Sequence, residues 1–501
     1  MRPIMILGTS TQAGKTTLVA GLCRLFSNRC VRVAPFKAQN MALNSFVTLK
    51  GEEIGRSTAV QARGARLEPS VHMNPILLKP KADAMSQLIV HGRAVRDVSS
   101  KDYFASDGLR EMKWNAVTQS VEQLQAEYEL IVAEGAGSCA EPNLRAIDTV
   151  NWDTAHLLGA RVFIIADIDR GGAFADLVGT MRVLERISPQ DLGLVEGFIL
   201  NKFRGDRSLL TSAIEFVESE TGKPIVGVLP YVHGMSLEEE DAIKNYPCKN
   251  PEVDIAIIRL PHTSNGNDFD FLAAEENVRV RWVGSADTLG LPDAIIFPGS
   301  KNATWDLDYA GRIGLADAVT LHAGAGGIVM GICGGYQMLG RRLIDEGKLE
   351  SDLGTLTGLG LLDVETHFEP EKILRQRRYA PTRENPFAEA GSIEGYEIHC
   401  GRTLLGTART LYKSADGDGG GGEATMGGGD GADGAINADG NVFGTFVHDI
   451  FKNRNFTRSF VNKLRDKKGL GPLTSEPLAF QASEENSYEQ LAELLETECG
   501  F

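Results

Sequence analysis

Along the first half of the chain, short apolar runs rich in β-branched residues recur at Ile4–Leu7, Val31–Pro35, Leu130–Ala133, Val162–Asp167, Gly197–Leu200 and Ile225–Leu229. Between several of them the apolar positions take a helical period. Leu18, Val19, Leu22, Leu25 and Phe26 fall on one face of a helix starting near Lys15. Continuous apolar strands alternating with amphipathic helices predict a parallel sheet covered on both faces. The pattern pauses at His233–Glu252, an acidic stretch that reads as a linker. A second series follows at Val253–Leu260, Val278–Val283, Ala294–Phe297, Gly327–Ile332, Leu359–Val364 and Val442–Val447, and predicts another α/β domain. Asp416–Asp439 is dominated by glycine, with aspartate and alanine, and is expected to be a disordered surface insertion. The expected division is therefore 1–232, a linker at 233–252, and 253–501 carrying the insertion at 416–439.

Composition narrows the classes. With 501 residues, 42% of them hydrophobic, the chain can bury a core in each of two or three domains. A formal charge of −16 disfavours nucleic acid as the main partner. The apolar run at the N-terminus is too short for a signal peptide, and no window approaches the roughly 20 apolar residues that span a bilayer. The seven cysteines are scattered and form no Cys-x-x-Cys pair. Reduced thiols in the cytoplasm are the expectation, and a cysteine-built zinc site is disfavoured.

Two stretches carry chemistry. The first strand runs into Gly8-Thr9-Ser-Thr-Gln-Ala-Gly14-Lys15-Thr16-Thr17 and the amphipathic helix. Backbone N–H groups of such a loop wrap phosphate oxygens, the lysine reaches the terminal phosphates, and a hydroxyl holds Mg²⁺. Five residues separate the two glycines rather than four, and Ser10 stands where partition-type and iron-protein-type ATPases carry a second lysine. The loop resembles that of dethiobiotin synthetase, which activates carboxyl groups with ATP. Leu130-Ile-Val-Ala-Glu134 then reads as a strand delivering a carboxylate towards Mg²⁺, so the candidate metal ligands are Thr16 and Glu134. Asn201, ending another strand, is a candidate reader of the adenine edge.

The second stretch is Gly331-Ile-Cys333-Gly334-Gly-Tyr-Gln-Met-Leu-Gly340. Strand, tight turn and helix would lift the Cys333 thiol from the sheet edge to a helix N-terminus, whose positive end favours thiolate. A nucleophile needs a base and an oxyanion hole. Of nine histidines, His448 follows an apolar strand and so sits where sites form in open α/β sheets. The Pro-Gly299-Ser turn after Ala294–Phe297 and the Gly334 N–H are the candidate oxyanion donors. Without further support Cys333 could be a buried structural cysteine, Glu134 a surface carboxylate and His448 a packed core histidine.

These stretches converge on a resemblance. Pro35-Phe-Lys37-Ala-Gln-Asn40-Met-Ala-Leu-Asn44-Ser45, Met73–Pro80, Gly197–Asp206, Phe297–Asn302, the cysteine elbow, Glu394–Thr403 and Gly444–His448 together resemble the cobyric acid synthase family, from residue 1 to about 455. The resemblance implies a P-loop, dethiobiotin-synthetase-like domain followed by a class I glutamine amidotransferase domain. It implies glutamine hydrolysis by Cys333 and His448, ATP and Mg²⁺ as cofactors, an acyl phosphate intermediate, and ammonia passed between domains along a shielded route. The implied acceptor is a corrinoid small molecule, adenosylcobyrinic acid a,c-diamide, amidated on four propionates. Lys37, Lys79 and Arg170 are candidates to offset the negative charge of that substrate, or equally solvated surface charges, and Asn40 and Asn44 are further candidate contacts. Two departures stand out: Ile450 occupies the position where class I amidotransferases often place the glutamate that orients the histidine, and Asp449 stands where glycine is expected. The alternatives are the related a,c-diamide synthase, which Pro35–Met41 argues against, and a P-loop switch ATPase with an inactive glutaminase-like domain.

Overall fold

The computed structural model describes residues 1–82, 84–232, 237, 246, 248–415, 425–426, 431–475 and 480–501. The chain divides into two compact units, one of residues 1–42, 53–240 and 480–501, the other of residues 43–52 and 241–479.

The first unit is built on six parallel strands: β1 (Ile4–Gly8), β2 (Val33–Phe36), β3 (Leu130–Glu134), β4 (Arg161–Asp167), β5 (Val195–Phe203) and β6 (Ile225–Pro230). Their order is β6-β5-β4-β1-β3-β2. Successive residues of β1 enter opposite cores, Met5 and Leu7 on one face, Ile4 and Ile6 on the other, which is why the strand is apolar throughout. Parallel pairing brings Gly8, Glu134 and Asp167 to one edge of the sheet. Helix α1 (Lys15–Asn28) starts at Gly14, whose φ of 104° suits glycine and whose Cβ would stand 2.1 Å from Asn201 Nδ2. A four-stranded sheet of Gln39–Met41, Ile76–Ala82, Met85–Val90 and Arg93–Ser99 was not anticipated from the apolar pattern.

The second unit begins with parallel strands β7 (Val253–Ile258), β8 (Val278–Val283), β9 (Ala294–Phe297), β10 (Ile328–Ile332) and, later in the chain, β15 (Val442–Thr445), in the order β8-β7-β9-β10-β15. The sheet continues antiparallel through β14 (Ala432–Ile436), β13 (Arg409–Ser414) and β11 (Val364–Pro381), which pairs in turn with β12 (Ile393–Leu405). Helix α2 (Gly334–Leu339) follows β10 directly.

Three expectations need correction. Residues 432–436 are strand β14 rather than disordered insertion: Asp433 and Ala435 are fully buried, and the strand lies hydrogen-bonded between β13 and β15. Neighbouring strands supply the order that its composition lacks. The rest of the proposed insertion falls largely outside the described residues, as does most of the 233–252 linker. The strand expected at Leu359–Val364 starts only at Val364. Finally, the tail belongs to the first unit. Helix α3 (Phe480–Cys499) lays Leu491 and Leu495 against Gly21 of α1, and Tyr488 donates to the Val60 carbonyl at 2.7 Å.

Candidate active site

In the first unit, Lys15 Nζ donates to the carbonyls of Ser10 and Gly137, each at 2.9 Å, while the Thr9 hydroxyl is buried without a partner among the described residues. Thr16 Oγ1 donates to Glu134 Oε1 at 3.0 Å. Glu134, 2% exposed, also takes Lys37 Nζ at 3.1 Å and the Gln61 side-chain amide. A hydroxyl and a carboxylate side by side at the end of β1 and β3 are the oxygen donors that Mg²⁺ takes together with phosphate oxygens and water, so these residues fit the ion. Among the described residues no group of three or more His, Cys, Asp or Glu is arranged to hold a metal by itself.

The expected substrate contacts fare differently. Lys37 is spent on Glu134, and Lys79 is buried in an ion pair with Glu53 at 2.9 Å, so neither ammonium faces solvent. Asn40 is buried and donates to Ser57 Oγ at 3.2 Å. Arg170 is exposed and reaches Gln12 Oε1 at 2.7 Å beside the loop. Asn201 donates to the Ala13 carbonyl at 2.8 Å, while Lys202 reaches the Gln12 carbonyl at 3.0 Å, which makes both braces of the glycine loop.

In the second unit, β10 carries the chain into Cys333, whose φ of 51° and ψ of −112° are unusual for a residue with a side chain. The strain is held by close packing: a Cβ on Gly335 would stand 2.2 Å from the Phe297 carbonyl, so only glycine lets the elbow sit on β9. The Cys333 N–H donates to the Thr445 carbonyl at 2.8 Å, tying the elbow to β15, which delivers His448. Cys333 Sγ donates to the Ile398 carbonyl at 3.4 Å, and it lies close enough to His448 to act on the charge of the ring. Gly334 is the first residue of α2, so its N–H lacks an intrahelical acceptor. Gly299 borders the ring, for a Cβ there would lie 2.9 Å from His448 Cε1, and a Cβ on Gly334 would lie as close to Ser300 N. Ser300 Oγ donates to Asp306 at 2.6 Å, and the same carboxylate receives His262 Nδ1 at 2.8 Å, which fixes this turn.

The third group of the chain is Asp268, which the sequence reading missed. Its Oδ2 accepts from His448 Nδ1 at 2.7 Å and its Oδ1 from the Asp449 N–H at 3.1 Å. Asp449 has φ 61°, so it adopts the left-handed turn that a glycine there would take, and this turn aims its N–H at Asp268. Ile450, in the usual glutamate position, is simply buried. Burial disfavours a charged His448, but the charges of Asp268 and Cys333 outweigh it and hold the ring's pKa up to about 10. Asn44, expected among substrate contacts, lies here instead: its Oδ1 accepts the Asn265 N–H at 2.6 Å, and Asn265 Nδ2 stands 3.2 and 3.3 Å from the two nitrogens of His448. The cue for Asp268 was the polar run Thr263–Asp268 just after the first strand of the second unit, where parallel sheets place their sites.

An elbow cysteine beside a buried His–Asp pair, in a chain that also carries a phosphate-binding loop, defines a glutamine amidotransferase joined to a nucleotide-binding domain. Residues 254–456 match the CobB/CobQ-like glutamine amidotransferase domain, and residues 4–243 match the CobQ/CobB/MinD/ParA nucleotide binding domain. The chain is 45% identical to a probable cobyric acid synthase of Methanothermobacter thermautotrophicus, over 98% of this chain and 96% of that protein. It is 47% identical to a cobyric acid synthase of Pelotomaculum thermopropionicum, over 95% of this chain and 90% of that relative. A third relative, the cobyric acid synthase of Dehalococcoides mccartyi, is 42% identical over 98% and 95% of the two chains. The chain belongs to the cobyric acid synthase family. It is an amidotransferase, and none of its described helices is long and apolar enough to cross a membrane.

Proposed function

We propose that the enzyme converts adenosylcobyrinic acid a,c-diamide into cobyric acid by amidating four side-chain carboxylates (b, d, e and g), with ATP and with ammonia from glutamine. The observation that carries the glutaminase half is the elbow cysteine Cys333 beside the hydrogen-bonded His448–Asp268 pair. The Cys333 thiolate attacks the amide carbon of glutamine, and N–H groups near Gly299 and Gly334 hold the oxyanion. Protonated His448 gives its proton to the leaving nitrogen as ammonia departs and a thioester remains. His448 then takes a proton from water, which attacks the thioester and releases glutamate, restoring the thiolate beside protonated His448. Asp268 holds the ring and balances its charge.

In the nucleotide-binding half, Gly8–Thr17 cradles ATP and Lys15 offsets the charge of the phosphates as the substrate carboxylate takes the γ-phosphate. Ammonia then attacks the acyl phosphate and inorganic phosphate leaves with the former carboxylate oxygen. Thr16 and Glu134 would hold Mg²⁺, which when bound neutralises phosphate charge. The acceptor rests on the names of the relatives. Mass spectrometry of the a,c-diamide incubated with ATP, Mg²⁺ and glutamine tests it. Four successive amidations are expected. An unchanged a,c-diamide, with cobyrinic acid converted to the a,c-diamide in its place, would overturn the reading in favour of the related a,c-diamide synthase.

A further inference from the structure

Residues 43–52 are read along the chain inside the nucleotide-binding half, yet they are part of the second unit. Three of them, Asn44, Ser45 and Phe46, touch the two residues that flank one imidazole. Asn44 Oδ1 accepts the Asn265 N–H at 2.6 Å, and the Ser45 N–H donates to Asn265 Oδ1 at 3.2 Å, so Asn265 is gripped at backbone and side chain together. Asn265 itself has φ 55°, a conformation that asparagine tolerates when local hydrogen bonds support it. Its amide nitrogen is nearly equidistant from both nitrogens of His448, which puts it over the ring rather than at an edge. The Tyr396 ring is stacked on His448, with centroids 5.2 Å apart and planes 20° apart. The Tyr396 hydroxyl donates to the Ser45 carbonyl at 3.2 Å, and Phe46 packs on the same tyrosine ring. Asn44, Ser45, Asn265, Tyr396 and His448 are all buried, so the hydrogen bonds among them are shielded from water.

We infer that Asn44 is a positioning residue for glutamine hydrolysis: with Ser45 it fixes Asn265 and Tyr396 against the His448 ring, so that the imidazole stays aligned between Asp268 and Cys333. The inference rests on the proposed roles of Cys333 and His448, and it moves Asn44 from the corrinoid to the glutaminase. It makes the glutaminase site incomplete without residues 43–52, and ties its competence to a segment whose two ends run directly into the nucleotide-binding unit. Ring alignment matters because misplacement of a catalytic group by about 1 Å costs on the order of 100-fold in rate.

The test measures glutamine hydrolysis and ammonia-dependent synthesis on the full-length enzyme. Asn44→Ala is expected to lower kcat for glutamine hydrolysis about 10- to 100-fold with KM for glutamine little changed, while synthesis from ammonium salts persists. Asn44→Asp keeps the acceptor for the Asn265 N–H and is expected to recover most of the loss. Asn44→Ala with normal glutamine hydrolysis but failing ammonia-dependent synthesis would overturn the inference and return Asn44 to the substrate. Should Asn44→Ala lose both activities, Tyr396→Phe, which deletes only the hydroxyl on Ser45, decides by the same two readouts. Unchanged glutamine hydrolysis in Tyr396→Phe then overturns the inference. If instead Cys333→Ala retained glutamine hydrolysis, the underlying nucleophile reading would fall, whatever Asn44 does.

Discussion

Asp268 and His448 are 180 positions apart in the chain and 2.7 Å apart in the structure, joined carboxylate to Nδ1. The carboxylate that orients the histidine therefore comes from the turn after the first strand of the unit rather than from the position two residues beyond the histidine. Asp268→Asn should leave the packing intact but favour the wrong tautomer of the ring. The expected loss in glutamine hydrolysis is on the order of 10²–10⁴ in kcat, with ammonia-dependent synthesis preserved. Steady-state assays with the two nitrogen sources check it, and a variant as active as wild type with glutamine would reduce Asp268 to a packing role.

For Cys333→Ala the expected loss with glutamine is on the order of 10⁴–10⁶, and His448→Ala combined with it should be little worse than either alone, because the residues act as a unit. A buried cysteine with only a packing role predicts a stability change of about 1 kcal/mol and intact use of glutamine. Thioester trapping with radiolabelled glutamine distinguishes the two directly.

Lys15→Ala should abolish amidation with glutamine and with ammonium salts alike, since both nitrogen sources need the acyl phosphate. Glutamine hydrolysis should survive in part. Normal ammonia-dependent product from this variant would contradict the assignment of the loop.

Lys79 and Glu53 form an ion pair whose side chains are 4% and 0% exposed. Removing one partner leaves the other charged and buried, so Lys79→Ala should destabilise the first unit by about 3–5 kcal/mol. A substrate contact predicts instead a raised KM for the corrinoid at unchanged stability. Chemical denaturation alongside initial-rate kinetics separates these outcomes.

Asp433 should contribute a fall in stability between about pH 4 and 7. Burial, helped by the charge of Glu397, pushes Asp433 up to about 7 from an ordinary value near 3.8. The folded state thus holds this proton more tightly than the unfolded chain. The contribution is complete below the unfolded pKa and is lost as pH rises through the folded one. His448, raised to about 10, continues the same downward trend between about pH 6.5 and 10. Asp433→Asn should flatten the lower part of the profile of unfolding free energy against pH, and an unaltered slope there would contradict a protonated Asp433.

The two signals that were plain in the sequence are local ones. Gly14-Lys15-Thr16-Thr17 opens α1 and Gly331–Gly335 wraps Cys333, because a loop that cradles phosphate and an elbow that lifts a thiol are each written in a few consecutive residues. The doubly covered strands were equally legible, as apolar runs. Strand β14 was not, since Ala432-Asp-Gly-Ala-Ile436 has little intrinsic strand preference and takes its order from β13 and β15. The hairpin β11–β12 was missed because Glu, Lys and Arg interrupt its alternation. Asp268 and Asn44 were missed as parts of the glutaminase site for a different reason: each acts through a partner far along the chain, and spacing carries no trace of such pairs.

Helix α3 has a consequence for how the molecule is made. Arg24 of α1 is completely buried and meets Glu485 at 2.6 Å and Glu489 at 2.8 Å, both supplied by the last helix. A ribosome that has released residues 1–240 has made a nucleotide-binding unit with an unfinished flank, its Arg24 guanidinium short of two carboxylates. That flank stays open while residues 241–479 are synthesised, on the order of tens of seconds at cellular elongation rates. The unit that begins first is thus completed last, after the glutaminase sequence has been translated, so birth order and finishing order run opposite ways.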